Sequence, residues 1–187
     1  DRPRPERFPL IVERVPDPPT PRAALRALAD APRPFLLESA EVDGDLGCRS
    51  FAGADPFLTL TSRGNTVTVA RGAEARSEDG DVLEVLRRLL AEHRLPRGEA
   101  PMAGGAFGFI AYDLGRSLER LPATARDDLG LPDVCLDFHD VVAVWDHLAG
   151  EVARPVGFRH VPARVFLHFL DRVEAGGGFE SHLADRD

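Results

Sequence analysis

Phe57-Leu58-Thr59-Leu60-Thr61-Ser62-Arg63-Gly64-Asn65-Thr66-Val67-Thr68-Val69 is the stretch that decides the fold. Apolar and hydroxyl-bearing residues alternate on either side of Arg63-Gly64-Asn65. That period of two around a Gly-Asn pair predicts a β-hairpin with strands over 57–61 and 66–69. Working outward, Asp81 follows Gly80 as an N-cap, and Val82, Val85, Leu86, Leu89, Leu90 and His93 recur at helical spacing. A helix over that run, closed by Leu95-Pro96-Arg97-Gly98, is the strongest helical signal in the chain.

Upstream, Pro9 to Val15 reads as a first strand, and Thr20 with Pro21 at the first helical position opens a helix near Arg22–Ala29. Phe35-Leu36-Leu37-Glu38-Ser39 reads as a short buried strand, followed by turn residues Asp43-Gly44-Asp45. Downstream, Gly104-Gly105-Ala106-Phe107-Gly108-Phe109-Ile110-Ala111-Tyr112-Asp113 is a glycine-rich strand. Glycine weakens a strand unless another backbone or a ligand comes close, so a close approach is expected there. Leu114–Leu121 reads as a short helix stopped by Pro122. Val134–His147 reads as one long strand or two, with Glu151–Phe158 pairing back after Ala149-Gly150. Val161–Glu174 is helical by pattern, and Gly176-Gly177-Gly178 opens a tail. Hairpins outnumber parallel crossovers, so the class is α+β, a mainly antiparallel sheet with flanking helices. The expected division is one domain over 1–175 and a Gly-rich linker or tail over 176–187.

Composition narrows the function. At 187 residues, 43% hydrophobic and 29% charged, the chain has the makings of a folded core rather than a disordered segment. A net charge of −8 disfavours nucleic acid and acidic membrane surfaces, which both need a positive field. No run approaches the roughly 18 apolar residues of a membrane span, and no secretory signal is visible behind Asp1. All 23 basic residues are arginine, which excludes Schiff-base and Walker-lysine chemistry. Cys48 and Cys135 form no CxxC unit, so a reducing cytoplasm is the default compartment.

Catalytic signals are weak when the residues are read alone. The glycine run 104–108 lacks the spacing and lysine of a phosphate loop, so tight strand packing is the better reading. His139 and His147 flank several aspartates, but on one straight strand they would stand about 26 Å apart. They are read as satisfied or solvated histidines, and no metal site is expected. Asp127-Asp128 and the Asp79/Asp81 pair are read as solvated loop charges. No base is identifiable beside Cys48 that would make it a nucleophile.

Three blocks carry a resemblance. Phe35-Leu36-Leu37-Glu38-Ser39-Ala40 with Leu46-Gly47-Cys48-Arg49-Ser50-Phe51-Ala52-Gly53-Ala54-Asp55-Pro56 is similar to an LLES…GRYSFxGADP pattern. Residues 104–113 resemble GGxxGYxxYD. Asp127-Asp128-Leu129-Gly130-Leu131-Pro132-Asp133, with the segment Phe138–His147 resembling FYDWxxxxDH, completes the set. Their order and spacing over residues 8–150 resemble the N-terminal region of the chorismate-utilising family of anthranilate synthase and aminodeoxychorismate synthase component I. The Tyr112–Leu121 stretch leans towards the aminodeoxychorismate branch.

That resemblance implies a layered α+β fold and no catalytic residue in this segment. Chorismate binding and a magnesium cofactor would belong to a C-terminal half, with no cofactor in these residues. The implied partners are that C-terminal chorismate-binding region and a glutamine amidotransferase subunit supplying ammonia. The alternatives are an anthranilate synthase, a stand-alone amino-acid-binding module or an inactive remnant. The resemblance also implies a tryptophan pocket at Glu38, Ser39, Cys48 and Arg49, where an ammonium meets a carboxylate and a carboxylate meets hydroxyl or amide donors. Four positions depart from the pattern. Cys48-Arg49 stands for Arg-Tyr, shifting the positive charge by one residue and so to the other strand face. Phe109 and His139 each stand for a tyrosine.

Overall fold

In a computed structural model, the described residues are 11–15, 17–43, 46–94, 102, 104–122 and 126–156, with the backbone alone for 11–14 and 153–156. The expected helix over 161–174, the glycine tail, and the Leu95–Gly98 helix stop lie outside them. The described strands form two five-stranded sheets with every pairing antiparallel. The α+β class follows from the sheets and the two flanking helices. The chain divides into two compact units.

The first unit draws its described residues from 11–55, 102 and 140–156. Its strands are β1 (Ile11–Arg14), β2 (Phe35–Leu37), β3 (Arg49–Gly53), β9 (Ala143–Asp146) and β10 (Glu151–Val156), in the order β1-β10-β9-β3-β2. Helix α1 (Pro21–Ala27) starts as expected: the Thr20 hydroxyl accepts from the Ala23 amide, and Pro21 costs nothing at a position where the helix needs no N–H donor. Its inner face joins Ala24 and Leu28 to Ala52, Ala143, Trp145 and Val152 in a core built largely of small residues. Trp145, the one large ring there, donates its indole N–H to the Pro19 carbonyl at 2.8 Å. A buried indole therefore keeps its hydrogen bond.

The second unit draws on 56–94 and 104–139. It holds β4 (Leu58–Arg63), β5 (Thr66–Arg71), β6 (Glu74–Asp79), β7 (Gly105–Ile110) and β8 (Val134–His139), in the order β6-β5-β4-β8-β7. The predicted hairpin is β4–β5: Arg63 pairs with Thr66 across a two-residue turn, with Gly64 at φ 57. A tight hairpin needs positive φ at that first turn residue. Alternation buries Leu58, Leu60 and Ser62 on one face of β4. Helix α2 (Val82–Glu92) lies where the periodicity puts it, with the Asp81 carboxylate accepting from the Leu83 amide at 2.8 Å. Val82, Val85 and Leu89 join Leu58, Leu60, Val67, Val134, Leu136 and Phe138 in the core. Each such aliphatic side chain contributes about 1.5–3 kcal/mol on full burial.

The glycine-rich strand is real, and so is the expected close approach. Gly108 sits at φ +148 opposite Leu136, and a β-carbon there would stand 2.0 Å from the Cys135 carbonyl oxygen. Only a residue without a side chain fits. The glycines thus serve strand contact, and no helix N-terminus follows them directly.

Val134–His147 is the second of the two readings, two strands, β8 and β9, and they belong to different sheets. Other details differ from the pattern reading. The helix expected over 114–121 is instead a 3₁₀ helix over Tyr112–Ser117, with bonds such as Leu118 N–H to Gly115 C=O. Glycine at 115 and proline at 122 leave too little helix-forming sequence for an α-helix. Strands β3 and β6 were not legible as strands. The edges of the second sheet also contrast. Every residue of β6 is exposed and most are charged, whereas β7 ends in exposed Gly108, Phe109 and Ile110.

Candidate functional site

The four residues singled out by resemblance all fall in the first unit, where β2, β3 and β9 reach the same end of their sheet. Ser39 follows β2, Cys48 precedes β3, Arg49 opens it, and Asp146 closes β9 opposite Arg49. The structure brings Ser39 against β3 directly. Its hydroxyl donates to the Arg49 carbonyl at 2.7 Å, and its amide donates to Ser50 Oγ at 3.1 Å. Both Ser39 hydrogens are therefore spent inside the protein. What remains is acceptor capacity on its hydroxyl oxygen.

Ser50 is fully buried and has a second partner, His147 Nε2 at 2.7 Å. The His147 amide in turn donates to the Cys48 carbonyl at 2.8 Å. A polar chain thus runs from Ser39 through Ser50 to His147. Burying Ser50 is tolerable because its hydroxyl is satisfied.

Glu38 and Arg49 are not directed at one another. Glu38 Oε2 accepts from Arg22 Nε on α1 at 2.7 Å, which holds the guanidinium more firmly protonated through that hydrogen bond and the attached charge. Oε1 of Glu38 has no hydrogen-bond partner among the described residues. Arg49 reaches across its strand pair to Asp146, Nε to Oδ2 3.6 Å. The shifted positive charge is thus on the exposed face, while Ser50 beside it points inward, as strand alternation requires. Asp146 also accepts from the Leu148 and Ala149 amides at 3.1 and 3.0 Å, pinning the β9–β10 turn. The Ala149 amide foremost, with Leu148 and Arg49, holds its carboxyl below the usual carboxylate range.

Sequence reasoning missed Arg22, Ser50, Asp146 and His147. A signal for the last two was present, since Asp146-His147 is the Asp-His end of the third block. His147 was set aside as a satisfied or solvated histidine, and it is a hydrogen-bonded one. Among the described residues no three His, Cys, Asp or Glu side chains gather as a metal site.

The other block residues order a loop in the second unit. Arg63 donates to Asp127 Oδ2 at 2.6 Å and to the Gly130 carbonyl at 3.3 Å. The Gly64 amide donates to Asp133 at 2.6 Å. Asp127 is an exposed charge, and it is also a structural one: its other oxygen accepts from the Gly130 amide at 2.8 Å. Asp79 accepts from Thr66 and Asp81 caps α2, so neither member of that pair is an acid–base group.

Comparison with known proteins gives the same family as the blocks. No family model matches the chain. Anthranilate synthase component 1 of Mycolicibacterium smegmatis is 40% identical over 172 residues, which is 88% of this chain and 33% of that protein. The Acetivibrio thermocellus protein of the same name is 31% identical, over 89% of this chain and 35% of its own length. Aminodeoxychorismate synthase component 1 of Escherichia coli is 34% identical over 123 residues, 64% of this chain and 27% of that protein. The chain spans about a third of the length of the curated relatives it matches.

Proposed function

We infer, from a chain that is a homologue of component 1 of the anthranilate and aminodeoxychorismate synthases over about a third of their length, that it serves such a synthase as its N-terminal, non-catalytic region. In this reading the synthase converts chorismate and glutamine-derived ammonia to 4-amino-4-deoxychorismate. The magnesium-dependent chemistry and the contact with an amidotransferase subunit belong to the longer protein. This region contributes a scaffold and a pocket for an amino acid, tryptophan, at the ends of β2, β3 and β9.

The observation that carries the pocket is the Ser39–Ser50–His147 chain lying next to Glu38. With both Ser39 hydrogens already spent, its oxygen accepts, and Glu38 Oε1 accepts beside it. Two acceptors, one of them charged, suit an α-ammonium group. Among the described residues Arg22 bonds Glu38 through Nε, and in this reading its terminal nitrogens take the ligand carboxylate. The test is calorimetry of the 187-residue chain with L-tryptophan. The expected result is saturable heat that Glu38→Gln and Ser39→Ala abolish. No heat in a folded sample refutes the pocket. Incubation of the chain with chorismate, ammonia and magnesium should give no product, and measurable turnover would overturn its non-catalytic role.

One observation favours an anthranilate synthase as the second reading. The Mycolicibacterium smegmatis anthranilate synthase matches 88% of the chain at 40% identity, against 64% at 34% for the E. coli aminodeoxychorismate synthase. In that case tryptophan acts as a feedback inhibitor. Identifying the product as anthranilate or 4-amino-4-deoxychorismate in a longer protein carrying this chain separates the two.

A further inference from the structure

We propose that His147 is the positioning residue of the amino-acid pocket, holding Ser39 in place through Ser50 and making occupancy of the pocket depend on the charge of its own ring. This deepens the tryptophan reading above and rests on it. The deciding feature is the hydrogen count at one buried oxygen. Ser50 Oγ is fully buried and has two partners among the described residues, the Ser39 amide at 3.1 Å and His147 Nε2 at 2.7 Å. A hydroxyl has one hydrogen to donate and two lone pairs to accept with. The Ser39 N–H takes one lone pair. If Nε2 also carried a hydrogen, both contacts would point into the oxygen and the hydroxyl hydrogen would be stranded in the interior, at the full desolvation cost of that donor. With Nε2 bare, Ser50 donates to His147 and accepts from Ser39, and every group is used. The geometry therefore selects the neutral ring with its hydrogen on Nδ1.

Three successive residues at the start of β3 are fastened in this way. The Cys48 carbonyl accepts from the His147 amide at 2.8 Å, the Arg49 carbonyl accepts from the Ser39 hydroxyl at 2.7 Å, and Ser50 joins the two partners to each other. His147 thus grips β3 with backbone and ring, and Ser39 is set beside Glu38 by the same strand.

Protonating the ring reverses one bond. Nε2 becomes a donor, and the buried Ser50 hydroxyl must either strand its hydrogen or turn away from the Ser39 amide. Turning away frees the end of β2 that carries Glu38 and Ser39. The imidazolium also adds a positive charge to the corner that is to receive an ammonium. Both effects weaken the ligand. His147 itself is exposed, so solvent protons reach it. The other ionisable groups at this corner, among the described residues, are Asp146 and Glu151 on β9 and β10, Cys48 and Arg49 at β3, and Glu38 after β2 with its partner Arg22. Of these side-chain types, imidazole is the one that ordinarily changes charge between pH 5 and 8.

The test is calorimetry of the 187-residue chain with L-tryptophan from pH 8 to pH 5. The Kd of the parent chain should rise about fivefold or more over that range. His147→Ala should bind weakly throughout. His147→Gln, whose amide oxygen can accept the Ser50 hydrogen, should recover the affinity that His147→Ala loses at pH 8 and show no rise towards pH 5. A pH dependence equal in the parent and His147→Gln overturns the proposal and leaves the tryptophan pocket standing. So does His147→Ala that binds as tightly as the parent at pH 8. Nitrogen-15 shifts of the His147 ring need no variant: a bare Nε2 at pH 8 is expected, and a hydrogen on Nε2 overturns the proposal. No saturable heat at any pH from a folded parent chain refutes the tryptophan pocket itself, and the positioning role falls with it.

Discussion

Gly108→Ala puts the packing of the second unit under direct test. The new β-carbon would lie 2.0 Å from the Cys135 carbonyl oxygen and 3.2 Å from the Leu136 α-carbon. Ordinary contact begins near 3.4 Å, so the strands must part by roughly 1.4 Å, and the obstacle is backbone that has no rotamer to change. Overpacking of that kind costs about 1–3 kcal/mol. Holding a β-carbon at φ +148 adds about 1–3 kcal/mol of backbone strain. The sum, ~2–6 kcal/mol, raises the open population of the β7–β8 pair at least roughly thirtyfold. Hydrogen exchange at the Phe107 and Phe109 amides reads it, with urea unfolding followed by circular dichroism as a second measure. Gly64→Ala is the control, at φ 57 with nothing within 4 Å of its β-carbon, and should cost only about 1–2 kcal/mol. A Gly108→Ala protein no less stable than the Gly64→Ala protein refutes the reasoning.

Further outcomes follow from the packing and charge already described. Leu89→Ala removes a buried contact of α2 with the sheet and should lower stability by about 2–5 kcal/mol in urea titration. Arg63→Ala should cost no more than about 1 kcal/mol, since its bridge to Asp127 is exposed on both sides; loop exchange over 127–130 should nevertheless accelerate. Asp146 has its folded-state pKa depressed, so its contribution is present above the unfolded value of about 3.9 and is lost as pH falls through the lower folded value. The stability difference between the parent chain and Asp146→Asn should therefore be full at neutral pH and close below about pH 4. A difference independent of pH in calorimetric scans would remove the role given to that carboxylate.

Legibility tracked how local the determining contacts are. The β4–β5 hairpin and α2 are written in neighbouring residues, through alternation around Gly64 and the Asp81 cap, and both stand where they were read. β6 is a strand only because β5 pairs with it, for Glu74-Ala75-Arg76-Ser77-Glu78-Asp79 has no apolar rhythm to betray it. β3 is short and rich in small residues, and its place is fixed by β9, far along the chain. The site followed the same rule. Glu38 and Ser39 were reachable through a contiguous motif. Ser50 and His147 are 97 positions apart, and only the β3–β9 register makes them partners. The break between β8 and β9 was one of the two readings of Val134–His147, but that the two strands lie in different sheets rests on their partners β4, β7, β3 and β10. Arg22 gave no signal at all, since its role comes from how α1 is placed beside β2.

Trp145 is the only tryptophan in the chain, and it sits in β9 directly before Asp146-His147 with its indole N–H held by Pro19. The first unit is thereby the sole source of indole emission, and the second is spectroscopically silent at that wavelength. A buried, hydrogen-bonded fluorophore one residue from the Arg49 partner and two from the Ser50 partner gives a built-in optical gauge of this corner. Titrating a non-fluorescent amino-acid analogue against that emission reads occupancy without a label, while the same signal in denaturant dates the collapse of one unit independently of the other.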